Sequence, residues 1–296
     1  MSVLTARATR DIAVAVKDYT SLLKLRIVAL LDATAVGVML PATHGHPRLV
    51  AVAAVLVGGT FAAGGAHAIN CWFDRDIDAE MSRTRTRPLP GGRIPPWHAL
   101  VLGITLNVLA FAVLWAGANL LAAGLALAGT LIYVFVYTIW LKRTTPQNIV
   151  IGGAAGAVPP LVGWAAATGH LDLTALALFG VIFFWTPPHF WALAQVIKKD
   201  YARAHIPMLP VVGGDGSAKR QSVVYAILTA AVSAVPFFTG SAGAIYLAGA
   251  TVLGVGLVGI TVLDLQRRGW TRRVFAYSIL YLALLFSVFA VSPFLP

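Results

Sequence analysis

Charge is what this chain has least of. Only 11% of its 296 residues are Asp, Glu, Lys or Arg, against about 25% in an average soluble domain. With 58% hydrophobic residues and a mean hydropathy of +0.81, the composition excludes a soluble globular protein and predicts an integral membrane one. Cysteine is nearly absent. The single Cys71 excludes an internal disulfide framework and leaves the redox compartment open. The first 25 residues mix Asp11 and Asp18 with Arg7, Arg10, Lys17 and Lys24, and they lack a clean apolar stretch ending in a small-residue cleavage site. Neither a secretory signal peptide nor an acid-free organellar transit peptide is therefore expected. No Ser, Cys or Lys nucleophile stands in a triad-like arrangement. Acid is the scarcer sign, 11 residues against 22 basic ones, but in a membrane protein the placement of charge matters more than its sum, and no nucleic-acid partner is read from it.

Long apolar runs are what the chain does have. Nine of them, each long enough or nearly so to cross ~30 Å of hydrocarbon, are predicted at Ile27–Thr43, Leu49–Ile69, Trp97–Ala118, Leu120–Trp140, Ile149–Thr168, Leu173–Ile197, Ser222–Thr239, Ala242–Leu263 and Val274–Leu295. With alternating crossings, the basic residues fall on one side, in a tail of residues 1–20 running into the first span, in the loops 70–96 and 198–221, at Lys142/Arg143 and at 267–273. Only Arg48 of the 22 Lys and Arg lies opposite. The positive-inside rule then places the N-terminus in the cytoplasm and the C-terminus outside. The two long loops both face the cytoplasm and both contain Ile-Pro (Ile94-Pro95, Ile206-Pro207). Two sets of four helices, each with its long loop after its second helix, plus a ninth helix, give a weak internal repeat. The expected fold is all-α, a single transmembrane domain over 1–296.

The chemistry-bearing stretch is Asn70-Cys-Trp-Phe-Asp74-Arg-Asp-Ile-Asp78, directly after the second apolar run. On a helix, residues four apart drift only about 40° per step, so Asn70, Asp74 and Asp78 share one face while Asp76 points nearly opposite. Hard oxygen ligands on one face suit Mg²⁺, which completes its shell with water and substrate phosphate. Arg83, Arg85, Arg87 and Arg93 follow. Carboxylates beside arginines at a bilayer surface read as a site for a lipid diphosphate; the other reading is a charged juxtamembrane loop that fixes topology and contacts lipid headgroups.

The same stretch, with Met81-Ser-Arg-Thr-Arg-Thr-Arg-Pro-Leu-Pro90, Lys142-Arg-Thr-Thr-Pro-Gln-Asn-Ile-Val-Ile-Gly-Gly153, Pro159-Pro-Leu-Val-Gly-Trp164, Pro188-His-Phe-Trp-Ala-Leu-Ala194 and Asp200-Tyr201 leading to Ile206-Pro-Met-Leu-Pro210, resembles the UbiA superfamily of intramembrane prenyltransferases. The later blocks resemble its heme-farnesylating branch. The resemblance covers nearly the whole chain, from Leu23-Lys-Leu-Arg26 to the ninth helix. It implies a nine-helix bundle in a bacterial cell (inner) membrane, multi-pass, with its active site facing the cytoplasm. It implies transfer of farnesyl from farnesyl diphosphate to a vinyl group of heme b, giving heme O. Asn70, Asp74, Asp78 and Asp200 would be the Mg²⁺ ligands and catalytic residues, and Arg83, Arg87, Lys142, Arg143, Lys198 and Lys199 the diphosphate-binding cations. Membrane lipid is the surrounding partner, and a heme-modifying or terminal oxidase assembly enzyme the implied protein partner. One departure stands out. Many superfamily members carry two or three carboxylates after the sixth helix, whereas this chain has Asp200, preceded by Lys198 and Lys199.

Two histidines are candidates for heme contact. His189 follows Pro187-Pro188 in the sixth span, where prolines free carbonyls and irregular backbone is tolerated if it lines a cavity. On a continuous helix it lies about 16 Å from Asp200 along the axis. It either faces heme or bonds a freed carbonyl beside the kink. His67 lies one turn before Asn70 and either lines the same cavity or packs. His44, His46, His98, His170 and His205 read as loop or interface residues. Asp32, in the first span, costs roughly 2.5–3.5 kcal/mol at mid-membrane and must be paired, protonated or facing a cavity. Competing functions are a related prenyltransferase with another acceptor (an aromatic acid, a quinone precursor or a chlorophyll-type tetrapyrrole) and a secondary transporter. The transporter would place its polar residues near the bilayer midplane instead of at the cytoplasmic surface.

Overall fold

The computed structural model describes residues 2–267 and 269–294, with side chains from Ala13 onward. Among these residues every regular element is helical. In chain order they are α1 (Ser2–Leu23), α2 (Leu25–Ala42), α3 (Leu49–Phe73), α4 (Arg75–Glu80), α5 (Pro96–Gly117), α6 (Leu120–Leu131), a π-helical segment (Ile132–Leu141), α7 (Lys142–Thr144), α8 (Asn148–Thr168), α9 (Leu173–Val196), α10 (Lys198–Arg203), α11 (Leu209–Val212), α12 (Gly214–Ser233), α13 (Val235–Phe238), α14 (Ala244–Gln266), α15 (Thr271–Val291) and a closing 3₁₀ turn (Ser292–Phe294). Nine helices among the described residues are long and apolar enough to cross a membrane, and they correspond one to one with the nine predicted runs. The predicted C-terminal position at Pro296 lies outside the described residues.

Three boundaries differ from expectation. The tail is helical from Ser2 onward, and α1 lays Leu22 against Ala68, Cys71, Leu89, Ile94 and Ala99. The seventh crossing begins at Gly214, eight residues before Ser222. Its first turns look like loop because they hold glycine and charge, but Lys219 there is neutralised by Asp264 of α14 at 3.0 Å. The sixth span does not run unbroken to Asp200. Helix α9 passes through Pro187 and Pro188 but ends at Val196, and Ile197 leaves helical geometry (φ −110°, ψ 30°) before α10.

Apolar burial does not drive helix association inside lipid, so close backbone approach must do so. Helices α3 and α5 meet at Gly65 and Gly103, where a Cβ on either would lie 2.7 Å from the other's carbonyl oxygen. Asn119 and Asp172 cap α6 and α9 by accepting from the amides of Ala122 and Ala175, each at 2.9 Å. One apolar cluster holds Met39, Val55, Leu114 and Val162 from α2, α3, α5 and α8. A second holds Trp164, Leu178, Tyr246, Tyr281 and Phe289 from α8, α9, α14 and α15. Large apolar side chains such as Leu30, Val108 and Val252 stay exposed on the outer surface, where lipid would cover them. Asp32 is buried on α2 and accepts from the Thr60 hydroxyl of α3 at 2.7 Å. Of the three expectations for it, pairing is what is observed, with a hydroxyl in place of a cation.

Candidate active site

Asn70 lies in the last turn of α3 and Asp78 in α4, with Asp74 at the turn between them (φ −87°, ψ 10°). The turn does not break the stacking. Asp74 N donates to Asn70 O at 2.9 Å and Asp78 N to Asp74 O at 2.8 Å, so the three side chains keep one face and all are buried. The Asp76 side chain points away and is 62% exposed.

Opposite this face runs the π-helical segment, and the two elements meet rung by rung. His67 Nδ1 lies 3.2 Å from the Tyr133 hydroxyl. Asn70 Nδ2 donates to Thr138 Oγ1 at 3.1 Å. Lys142 Nζ pairs with Asp74 Oδ2. The rungs are three and four residues apart from α3 into the turn after it, but five and four apart from the π-helical segment into the start of α7. Winding that bonds i to i+5 brings residues five apart onto one face, as α-helical winding does not, and such segments are frequent at functional sites. Asn70 also donates to Asp74 Oδ2 at 2.6 Å, and its side-chain amide oxygen Oδ1 accepts from Lys24 Nζ at 3.1 Å. Lys24 holds a left-handed backbone (φ 53°) between α1 and α2, a conformation that persists in non-glycine residues only when the surroundings enforce it. Burial, the largest cause, holds the Lys24 ammonium below its usual pKa.

The remaining cations arrive from the loops. Residues 81–94 turn back on themselves, with the Thr84 hydroxyl donating to the Asp78 carbonyl at 2.9 Å, and this brings Arg87 Nη1 to Asp78 Oδ2 at 2.8 Å. Arg143 grips Asp76 with two bonds of 2.8 Å, stands 3.6 Å from Asp74 Oδ1 and lies 4.8 Å from the centre of the Phe73 ring. The Arg143 hydrogen bond, the main cause, holds the Asp76 carboxyl below its ordinary 3.8.

The second loop is hydrogen-bonded to the first by Ser82 Oγ, which donates to Asp200 Oδ2 at 2.7 Å. Tyr201 beside it packs on Ile77, Met81 and Ile149, and burial pushes its phenol up to about 12 while Lys142 and Arg83 pull it back. Lys198 pairs with Asp215 at 2.9 Å on the surface. Arg83 and Lys199 are exposed. The structure thus brings together Asn70, Asp74, Asp78, Arg87, Lys142 and Arg143, holds Asp200 one contact away, and leaves Arg83, Lys198 and Lys199 at the rim. His189 faces elsewhere. Its Nδ1 bonds Ser278 Oγ of α15 at 2.8 Å, with its ring stacked 4.3 Å from Trp185 and 4.8 Å from Phe275. Lys24, Thr138, Tyr133 and Ser82 are at the site without being expected there from the sequence. The available signals were a lysine at the edge of the first span and polar groups inside the Leu120–Trp140 apolar run.

Among the described residues no three His, Cys, Asp or Glu side chains form a ready metal cluster. Two carboxylates and an amide nevertheless present only hard oxygens, and Asp74 Oδ1 is buried without a hydrogen-bond donor. That donor set fits Mg²⁺, an ion that leaves several positions for water and phosphate oxygens.

The model of the UbiA prenyltransferase family matches residues 30–285. The chain is 54% identical over 279 residues to the protoheme IX farnesyltransferase of Roseiflexus sp. (strain RS-1), covering 93% of this chain and 52% of that protein. It thus spans about half that relative's length. It is 50% identical over 289 residues to the protein of the same name from Gloeobacter violaceus, covering 96% of this chain and 95% of that one. Two solved structures share the fold: digeranylgeranylglyceryl phosphate synthase, with a TM-score of 0.80 at 17% identity over 94% of this chain and 98% of that chain, and a UbiA homolog from Archaeoglobus fulgidus bound to DMAPP and Mg²⁺, with a TM-score of 0.66 at 20% identity over 93% and 99%. By the family match along most of its length, this multi-pass membrane chain belongs to the UbiA prenyltransferase family.

Proposed function

We propose that the chain transfers the farnesyl group of farnesyl diphosphate to a vinyl group of heme b, giving heme O, at a site facing the cytoplasm of a bacterial inner membrane. The observation that carries the reading is the buried Asn70–Asp74–Asp78 face ringed by Lys24, Arg87, Lys142 and Arg143. An allylic diphosphate leaves as its C–O bond ionises, and charge grows on the phosphate oxygens. Fixed cations aimed at those oxygens stabilise the transition state more than the ground state. Arg87 and Arg143 offer planar forks to phosphate, and Lys24 and Lys142 act as point charges. Mg²⁺, held by Asp74 and Asp78 with Asn70 and with Asp200 at the edge, would neutralise developing negative charge on the leaving group. The Archaeoglobus homolog bound to DMAPP and Mg²⁺ supports this donor set. Heme b as acceptor is supported by the printed name of relatives about half identical to this chain, one of them matched along 95% of its length.

The test is to express the chain in a host that makes heme b but no heme O, then separate extracted hemes by mass. Heme O is expected only with the chain present and is lost on chelation of divalent ions in membranes. Prenylation of a different acceptor, with heme b left untouched, would overturn the reading.

A further inference from the structure

Adding an allylic cation to a vinyl group does not end the reaction. The new C–C bond joins farnesyl C1 to the terminal vinyl carbon and diphosphate leaves with the electrons of the C1–O bond, so positive charge remains on the inner vinyl carbon. If water adds there, a C–O bond forms and one water proton must go to a base. If no base is placed beside that water, the cation instead gives up a proton from the adjacent CH₂ to the released diphosphate, leaving an alkene lighter by one water. Hydroxylation is therefore favoured by a proton acceptor held beside the captured water, with the released diphosphate as the competing one. Asp74 and Asp78 are engaged with cations at the mouth.

His67 has the position and the free atom. It lies three residues before Asn70 on α3, about 4.5 Å further from the loops along the axis, on the face that carries the metal-type oxygens. The residue is more than nine-tenths buried. Nδ1 meets the Tyr133 hydroxyl at 3.2 Å, and the two rings stand edge to face at 5.3 Å. Nε2 is buried with no hydrogen-bond partner. A buried polar atom without a partner is uncommon and calls for an explanation. Here the rest of the ring is held by an element whose next two rungs seat Asn70 and Asp74.

We propose that His67 is a catalytic base. With Nδ1–H donated to Tyr133, Nε2 accepts the proton of the water that captures the cation on the former vinyl carbon, and Tyr133 is the positioning residue that keeps this tautomer and ring orientation. The proposal rests on the function proposed above.

The experiment compares the hemes made by wild type, His67→Ala, His67→Gln and Tyr133→Phe in membranes supplied with heme b, farnesyl diphosphate and ¹⁸O-water, with diphosphate release measured in parallel. In the His67 variants the ratio of hydroxylated to dehydrated prenyl-heme is expected to fall by about 10², the low end of what a positioned base contributes. Diphosphate release should stay close to wild type, because the proton leaves after the C–C bond has formed. Imidazole added to His67→Ala should restore ¹⁸O incorporation, and Tyr133→Phe should give a smaller fall in the same direction. His67→Gln preserves much of the volume and a hydrogen-bonding end, so it is scored wherever His67→Ala fails to accumulate in the membrane. An unchanged product ratio in both His67 variants would leave released diphosphate as the base and overturn the proposal. Parallel loss of diphosphate release would overturn it too, by placing His67 before bond formation. Absence of any prenylated heme in the wild type would instead sink the proposed function, which keeps the two failures distinct.

Discussion

Asp74 is almost fully buried and pairs with Lys142, so its removal acts on stability as well as on chemistry. Read from sequence, it is a carboxylate at the wet edge of a span, and Asp74→Asn should change membrane insertion little. The structure adds an effect on stability. Breaking a buried pair by removing one partner costs about 3–5 kcal/mol, because the other charge stays behind. Asp74→Asn should therefore lower the unfolding temperature of the detergent-solubilised protein and cut prenyl transfer by about 10²–10³, the usual loss for one electrostatic partner. The double variant Asp74→Asn/Lys142→Met should recover much of the stability and none of the activity. Equal stability of the single and double variants would contradict the pairing. Asp76 is the control. Its pair with Arg143 is largely exposed and worth at most about 1 kcal/mol, so Asp76→Asn should reduce transfer no more than about fivefold. The folded carboxyl lies below its ordinary 3.8. Its contribution is therefore fully present above 3.8 and lost as pH falls through the lower folded value. The stability difference between wild type and Asp76→Asn should stay flat from about pH 5 to 8, as thermal melts across that range would show.

At the scale of elements, the site depends on a winding that no hydropathy pattern announces. The run Ile132–Leu141 is apolar and of ordinary composition for a membrane helix, yet its i→i+5 winding aligns Tyr133, Thr138 and Lys142 with His67, Asn70 and Asp74. Deleting Ile139, 39% exposed on the outer face, should rewind the segment and swing Lys142 by about 100°. Transfer should then be abolished while the protein still inserts. Activity within tenfold of wild type in membranes containing the deletion would show that the register does not matter. Gly152 of α8 supports the same element, because a Cβ there would lie 2.3 Å from Tyr137 Cδ2. Gly152→Ala should displace Tyr137 and cost about 1–3 kcal/mol, read as a lower unfolding temperature.

For the whole molecule, the charge asymmetry and the site make one topological statement. All the carboxylates and cations assembled around Asp74 lie at the ends of helices that the basic-residue count assigns to the cytoplasm. A reporter fused after Ala79 should read cytoplasmic and one after Thr168 external. The reverse pattern would place the Asn70–Asp74–Asp78 cluster on the outer side and contradict the positive-inside assignment. The buried Lys219–Asp264 pair, with Thr271 donating to the same carboxylate at 2.9 Å, ties α12, α14 and the start of α15 at that surface. It keeps a charged helix start from fraying where the sequence alone reads loop.

Sequence by itself determined the class, the number of crossings and the shared face of Asn70, Asp74 and Asp78. Apolar runs of membrane length and a four-residue spacing are local properties, carried by neighbours in the chain. It also marked Arg87, Lys142 and Arg143 as cations of the site, through the family's motifs, but not which carboxylate each would meet. Those partners lie 9, 68 and 67 residues away from Asp78, Asp74 and Asp76 respectively. The direction of His189 was equally out of reach, since the face it turns to Ser278 and Phe275 depends on where α15 packs against α9. Lys24 in its left-handed turn, Thr138 on the π-helical segment and Ser82 against Asp200 are single polar residues whose role exists only through a contact across the bundle. Tertiary structure decided those, because a polar group inside a membrane protein is stable only beside the partner that packing supplies.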